Sequence, residues 1–96
     1  MVESYDKQVK KKRQAWKIYK ALRTNDIYKS SDFYAEAYEK AKGILIEFHR
    51  NYTFKNSNLT VLEMEKSINL LADMEISRGK IVELTEDFIS EFMKKI

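Results

Sequence analysis

His49 is the only histidine in the chain, and there is no cysteine. Those two counts narrow the available chemistry sharply. Zinc and di-iron sites in helical bundles need histidine or cysteine alongside carboxylates, and a ferritin-like site needs Glu-x-x-His on two helices. Glu47 lies two residues before His49, so helical spacing places the pair on different faces. The expectation is therefore no metal site. A catalytic reading of His49 would require a cleft lined by Glu47 and Tyr52. The plainer reading is a solvated or capping histidine near a helix C-terminus.

Paired carboxylates also occur, Glu36 with Glu39 and Glu83 with Asp87. All project onto polar faces, whereas general acid–base work needs a perturbed carboxyl. No glycine-rich phosphate loop is present, and no motif surrounds the serines and threonines. The sequence thus predicts a protein that is not an enzyme, with no catalytic residue, no cofactor and no small-molecule substrate.

Cationic side chains form the strongest local signal. Residues 1–24 hold eight basic and two acidic side chains, whereas residues 57–96 hold five basic and eight acidic. At about 100° per residue, Lys10, Arg13, Lys17 and Lys20 form one ridge on the outside of a first helix. Such a ridge suits phosphates, so a nucleic-acid partner is the second expectation and an anionic membrane surface the third. Lys10-Lys11-Lys12-Arg13 also has the pattern of a nuclear-import tetrapeptide. A net charge of only +3 favours the simpler view of a solvated face.

The elements that carry these residues follow from composition and period. Proline is absent and glycine occurs twice, which favours long helices over a many-turned β fold. Six tyrosines, five phenylalanines and one tryptophan supply core area. No apolar run approaches 18 residues, the N-terminus lacks a signal-peptide stretch, and no internal repeat is visible. Two glycosylation sequons, at Asn51 and Asn58, read as chance matches. Together with the missing cysteine, these features lead us to expect a single cytoplasmic domain over residues 1–96.

Four helices are expected. The first runs from Ser4 to Leu22, with Tyr5, Val9, Ala15, Trp16, Ile18, Tyr19 and Leu22 on its apolar side. Arg23-Thr24-Asn25-Asp26 is its exit. The second is capped by Ser30 or Ser31 and carries a stripe of Tyr34, Ala37, Tyr38, Ala41, Ile44, Leu45, Phe48 and Tyr52. Asn51 to Asn58 reads as a loop. The third begins at Thr60, whose spacing from Glu63 matches a capping box. Val61, Met64, Ile68, Leu71 and Ala72 make its main apolar face, and Leu62, Leu70 and Met74 a second. Ser77-Arg78-Gly79 breaks the chain, unless Thr60 to Ile96 form one long helix in a three-helix arrangement. The fourth helix carries Ile81, Leu84, Phe88, Ile89, Phe92 and Ile96.

The predicted fold is all-α, a small antiparallel bundle of four helices. The second apolar face of the third helix, Leu62, Leu70 and Met74, is the candidate protein interface. It suits another protein or a second copy of the chain, as in an adaptor, inhibitor or immunity-type regulator. Lys80-Ile81-Val82-Glu83-Leu84-Thr85-Glu86 resembles the lead-in to the last helix of the small immunity proteins that guard producers of pediocin-like bacteriocins. That resemblance implies a basic, cysteine-poor bundle of four antiparallel helices acting on a protein partner. It carries over no site residue.

Overall fold

A computed structural model of the chain describes residues 4–53, 55, 57–79, 81 and 83–95. Four α-helices account for most of it: α1 (Tyr5–Arg23), α2 (Asp32–Phe48), α3 (Val61–Ser77) and α4 (Glu86–Lys94). No strand occurs among the described residues, so the all-α class is as expected.

Each helix starts at a hydroxyl that the sequence places there. The Ser4, Ser31, Thr60 and Thr85 side chains accept from the backbone N–H of Lys7, Tyr34, Glu63 and Phe88. Thr60 and Glu63 complete a reciprocal capping box, with the Glu63 carboxylate accepting from the Thr60 N–H at 3.3 Å. Each such hydroxyl satisfies an N–H that the first helical turn leaves unpaired, at about 1 kcal/mol per cap.

The helix exits use backbone conformation instead. After α1 the chain enters a 3-10 segment over Thr24–Lys29, interrupted where Asn25 and Asp26 take φ of 53° and 55°. Asn and Asp reach this left-handed region more readily than other residues with a side chain. After α3, Gly79 adopts φ 72°, directly beyond the Arg78 cap. That break excludes the single long helix from Thr60 to Ile96. Ile96 itself lies outside the described residues, as do Lys80 and Val82.

The segment after α2 departs from expectation. His49–Thr53 continue the helix as a π-helical turn rather than opening a loop at Asn51. The polar composition His-Arg-Asn-Tyr-Thr hides this, because the turn is supported by its neighbours. Tyr52 packs on Phe48 with ring centroids 4.8 Å apart.

α1 and α2 form the centre of the protein. Tyr5, in the first turn of α1, meets Phe48 at the end of α2, while Arg23 at the end of α1 reaches Tyr38 near the start of α2. The two helices therefore run in opposite directions. Ala15, Ile18, Tyr19 and Leu22 from α1 are buried against Ala37, Tyr38, Ala41 and Leu45 from α2. The three alanines keep the helix axes close. α3 adds Ile68 and Ala72 to this core, and α4 adds Ile89 and Phe92. Each packs on both α1 and α2.

Four aromatic rings stack in a row through the core. Trp16 lies parallel to Tyr19 at 6.4 Å, Tyr19 to Tyr38 at 4.5 Å, and Tyr38 to Tyr28 at 4.2 Å. Ammonium groups sit over three members of the row, Lys20 over Trp16, Lys42 over Tyr38 and Lys29 over Tyr28. Cation–π attraction holds these long side chains against the aromatic faces.

The two glycines should respond oppositely to alanine. Gly43 lies inside α2 with open space where a Cβ would sit, so Gly43→Ala should raise stability by about 1 kcal/mol. Gly79 also has open space, but its φ of 72° disfavours a side chain, so Gly79→Ala should cost about 1 kcal/mol. Urea melts of both variants check the pair. Equal shifts of one sign would contradict the break at Gly79.

Candidate functional site

The cationic ridge of α1 is not uniform. Lys10, Arg13 and Lys17 are exposed, and none of the three makes an ion pair among the described residues. Lys20 differs from them. Its ammonium contacts the Glu75 carboxylate at 2.9 Å, and its side chain is only 11% exposed. The expected four-residue solvated ridge is thus three residues long, because the last turn of α1 faces α3. Projection of α1 alone could not reveal this, since the partner lies 55 residues further along the chain.

The C-terminal half of α1 provides the other anchors of α3. Trp16 Nε1 donates to Glu75 at 2.9 Å. The Tyr19 hydroxyl donates to Asn69 Oδ1. Arg23 grips Asp73 through two nitrogens, at 2.6 and 3.1 Å, and donates a third bond to the Tyr38 hydroxyl at 3.0 Å. Lys42 of α2 reaches Glu65 of α3 at 3.5 Å as well as Glu39 at 3.0 Å. Burial opposes the charge on Lys42, yet Glu39 and then Glu65 outweigh it and raise its pKa. The acidic second half of the sequence therefore neutralises the C-terminal part of the basic first helix, which leaves net positive charge toward the N-terminal part.

α3 buries Met64, Ile68 and Ala72, half-buries Ile76 and turns Val61, Leu62, Leu70, Leu71 and Met74 outward. Val61 and Leu71 were expected in the core, yet they are 48% and 49% exposed. Leu62, Leu70 and Met74 are exposed as predicted, Leu70 most of all at 64%. Leu62 is not contiguous with the other two. It lies about 12 Å before Leu70 along the helix axis, whereas Met74 follows Leu70 by one turn. Leu71, exposed as well, adjoins Leu70 and Met74. Leu70, Leu71 and Met74 form a continuous outer strip, bounded by exposed Glu63, Ser77 and Arg78. Val61 and Leu62 lie apart from it, in the first turn.

At the opposite end of α1, Tyr5, Phe48 and Tyr52 form a second aromatic group. Tyr5 and Tyr52 meet edge to face at 5.0 Å and both are exposed. Phe48 lies beneath them, with the Lys12 ammonium 5.6 Å from its ring centre. His49 stands edge-on to Phe48, and its Nδ1 is 3.0 Å from the Thr53 hydroxyl. Burial first, and the Lys12 charge second, lower the His49 pKa from its ordinary 6.5. The neutral imidazole is thus favoured, and the ring stands at the C-cap of α2, near the helix end where the sequence places it.

Open grooves also lie among the described residues. One of about 370 Å³ lies among Leu22, Ile27, Tyr34, Leu84 and Ile89. Another, about 410 Å³, lies where Gln14 of α1 meets Asp87, Phe88 and Glu91 of α4. No polar or charged residue among those described is buried, so neither groove holds an enclosed polar group to orient a ligand. Among the described residues, no cluster of His, Asp and Glu could hold a metal ion, and no helix is long and apolar enough to cross a membrane.

Two pH dependences follow. The hydrogen bonds from Arg23 lower the Asp73 pKa below 3.8. Asp73 therefore stabilises the fold fully above that value, and the contribution is lost as pH falls through the folded pKa. Because Asp73 is half exposed, Asp73→Asn should cost about 1 kcal/mol at pH 7. Thermal melts should show the gap to wild type closing below about pH 4. His49 behaves in the opposite sense. Its folded pKa lies below its unfolded one, so its penalty is absent above about pH 6.5 and grows as pH falls. An NMR titration should place His49 below 6.5, and His49→Gln should flatten the loss of stability between about pH 7 and 5. A titration at or above 6.5 would contradict the burial of the ring.

No protein-family model, curated protein or solved structure matches the chain.

Proposed function

We propose that the protein is a non-enzymatic interaction module that binds another protein through the outer face of α3. The observation that carries this reading is the strip of Leu70, Leu71 and Met74, 64%, 49% and 42% exposed, on a helix already anchored on its inner side. Single exposed apolar residues are ordinary, but three neighbours within about two turns, with a polar rim, have the layout of an interface centre. Methionine adapts its thioether to the shape of a partner.

The anchoring of α3 supports the same reading. Its ion pairs with Lys20 and Arg23 fix which side faces inward, so the strip is presented rather than free to roll into the core. An adaptor, inhibitor or immunity-type role in the cytoplasm is the form we assign to it. A second copy of the chain would use the face equally well.

Leu70→Lys with Met74→Lys should leave the melting temperature unchanged, because both positions point away from the core. Wild-type and variant protein would be used as bait in extracts of the source cells, and sedimentation would measure self-association of each. A protein retained by wild type and lost from the variant supports the proposal. A dimer dissolved by the substitutions would make the partner a second copy. Identical retained sets together with two monomers would overturn it.

A further inference from the structure

We propose that the corner where the start of α1 meets the end of α2 is a binding site for single-stranded nucleic acid, with Tyr5 and Tyr52 as the stacking surface. This site is separate from the outer face of α3 and does not depend on it.

The two tyrosines are the starting observation. Elsewhere the aromatics of α1 and α2 are buried or half-buried, many of them in the stacked row, but Tyr5 is 57% and Tyr52 42% exposed. Their rings meet at 73° and 5.0 Å, and both rest on Phe48, at 6.5 and 4.8 Å. Phe48 acts as a backing that fixes the pair without covering the outer ring surfaces. Tyr52 is carried by the π-helical turn His49–Thr53. A π turn holds an extra residue, so it redirects the side chains beyond it, and such turns recur at functional sites.

Charge surrounds this platform. Lys12, on the same side of α1 as Tyr5, lies over Phe48, Arg50 is exposed in the π turn, and Arg13, Lys17 and Lys10 continue around α1, about 80°, 120° and 140° from Tyr5 at about 100° per residue. Asp6 on α1 and Glu47 on α2 oppose them, so the surroundings remain cationic. From Tyr5 to Lys17 the helix extends about 18 Å, enough for a short run of nucleotides. Cations alone would suit any polyanion. The aromatic pair adds a requirement for accessible flat rings, and only unpaired bases offer them. An anionic lipid surface would call for aliphatic side chains on the same side, but the exposed leucines lie on α3.

The test is fluorescence anisotropy with a labelled oligothymidylate of about twelve nucleotides at rising salt. The same measurement uses a duplex, heparin, and vesicles of phosphatidylcholine with phosphatidylserine. Wild type should bind the single strand more tightly than the duplex. Tyr5→Leu with Tyr52→Leu should weaken binding about tenfold or more without changing the salt slope. Tyr5→Phe with Tyr52→Phe, which keeps the ring faces, should bind as wild type does. Lys10→Gln, Arg13→Gln and Lys17→Gln together should reduce the slope by about two. Leu70→Lys with Met74→Lys should leave this binding intact, so failure here and failure of the α3 interface are distinguishable. Circular dichroism confirms that each variant is folded. No binding at low salt, a leucine pair that binds like wild type, or equal or tighter binding to duplex, heparin or vesicles would overturn the proposal.

Discussion

α3 reaches the rest of the protein with three buried apolar side chains, Met64, Ile68 and Ala72, and its position depends on polar partners at the C-terminal half of α1. Glu75 receives both the Trp16 indole and the Lys20 ammonium, Asn69 takes the Tyr19 hydroxyl, and Asp73 takes Arg23. Apolar burial supplies most of the driving force but is not directional. The hydrogen bonds set the rotation of α3 about its own axis. That rotation decides which of its apolar residues pack and which face outward.

Charge asymmetry along the sequence has its structural meaning at this seam. The basic first helix and the acidic second half are not merely solvated regions of opposite sign, because Lys20 and Arg23 are matched to Glu75 and Asp73. Arg23 is held charged chiefly by its hydrogen bond to Asp73, whose own carboxyl is held ionised in return. The Tyr19 hydroxyl, raised in pKa by its burial and then by neighbouring Tyr38, stays protonated as a donor to Asn69. Once these contacts form, the remaining cations are concentrated toward the N-terminal part of α1. One basic helix thereby serves the fold at one end and leaves an open charged surface at the other.

Local features were legible because local chemistry determines them. Ser4, Ser31 and Thr60 each need only residues a turn away to cap a helix, and Gly79 breaks the chain through its own φ. The exposure of Val61 and Leu71 was not legible. α3 is apolar through more than half its circumference, so periodicity allows several inner faces and only the partners on α1 select one. Lys20 was misplaced for the same reason. The turn at His49–Thr53 was missed because its support comes from Phe48 and Tyr5, across a contact with another helix. In the candidate protein interface, Leu62, Leu70 and Met74 were legible as outward residues, but Leu71 as an outward neighbour of Leu70 and Met74 required the observed exposures.

The single tryptophan sits at the seam itself, with its indole N–H on the carboxylate of Glu75 and its ring stacked near Tyr19. Its emission is therefore tied to one junction, while the near-ultraviolet dichroism of the tyrosine row is tied to the α1–α2 pair. The protein contains two optical reporters that divide its tertiary structure between them. Lifting of α3 while the central pair stays intact would register most in the first signal, and in the second only through the lost bond from Tyr19 to Asn69.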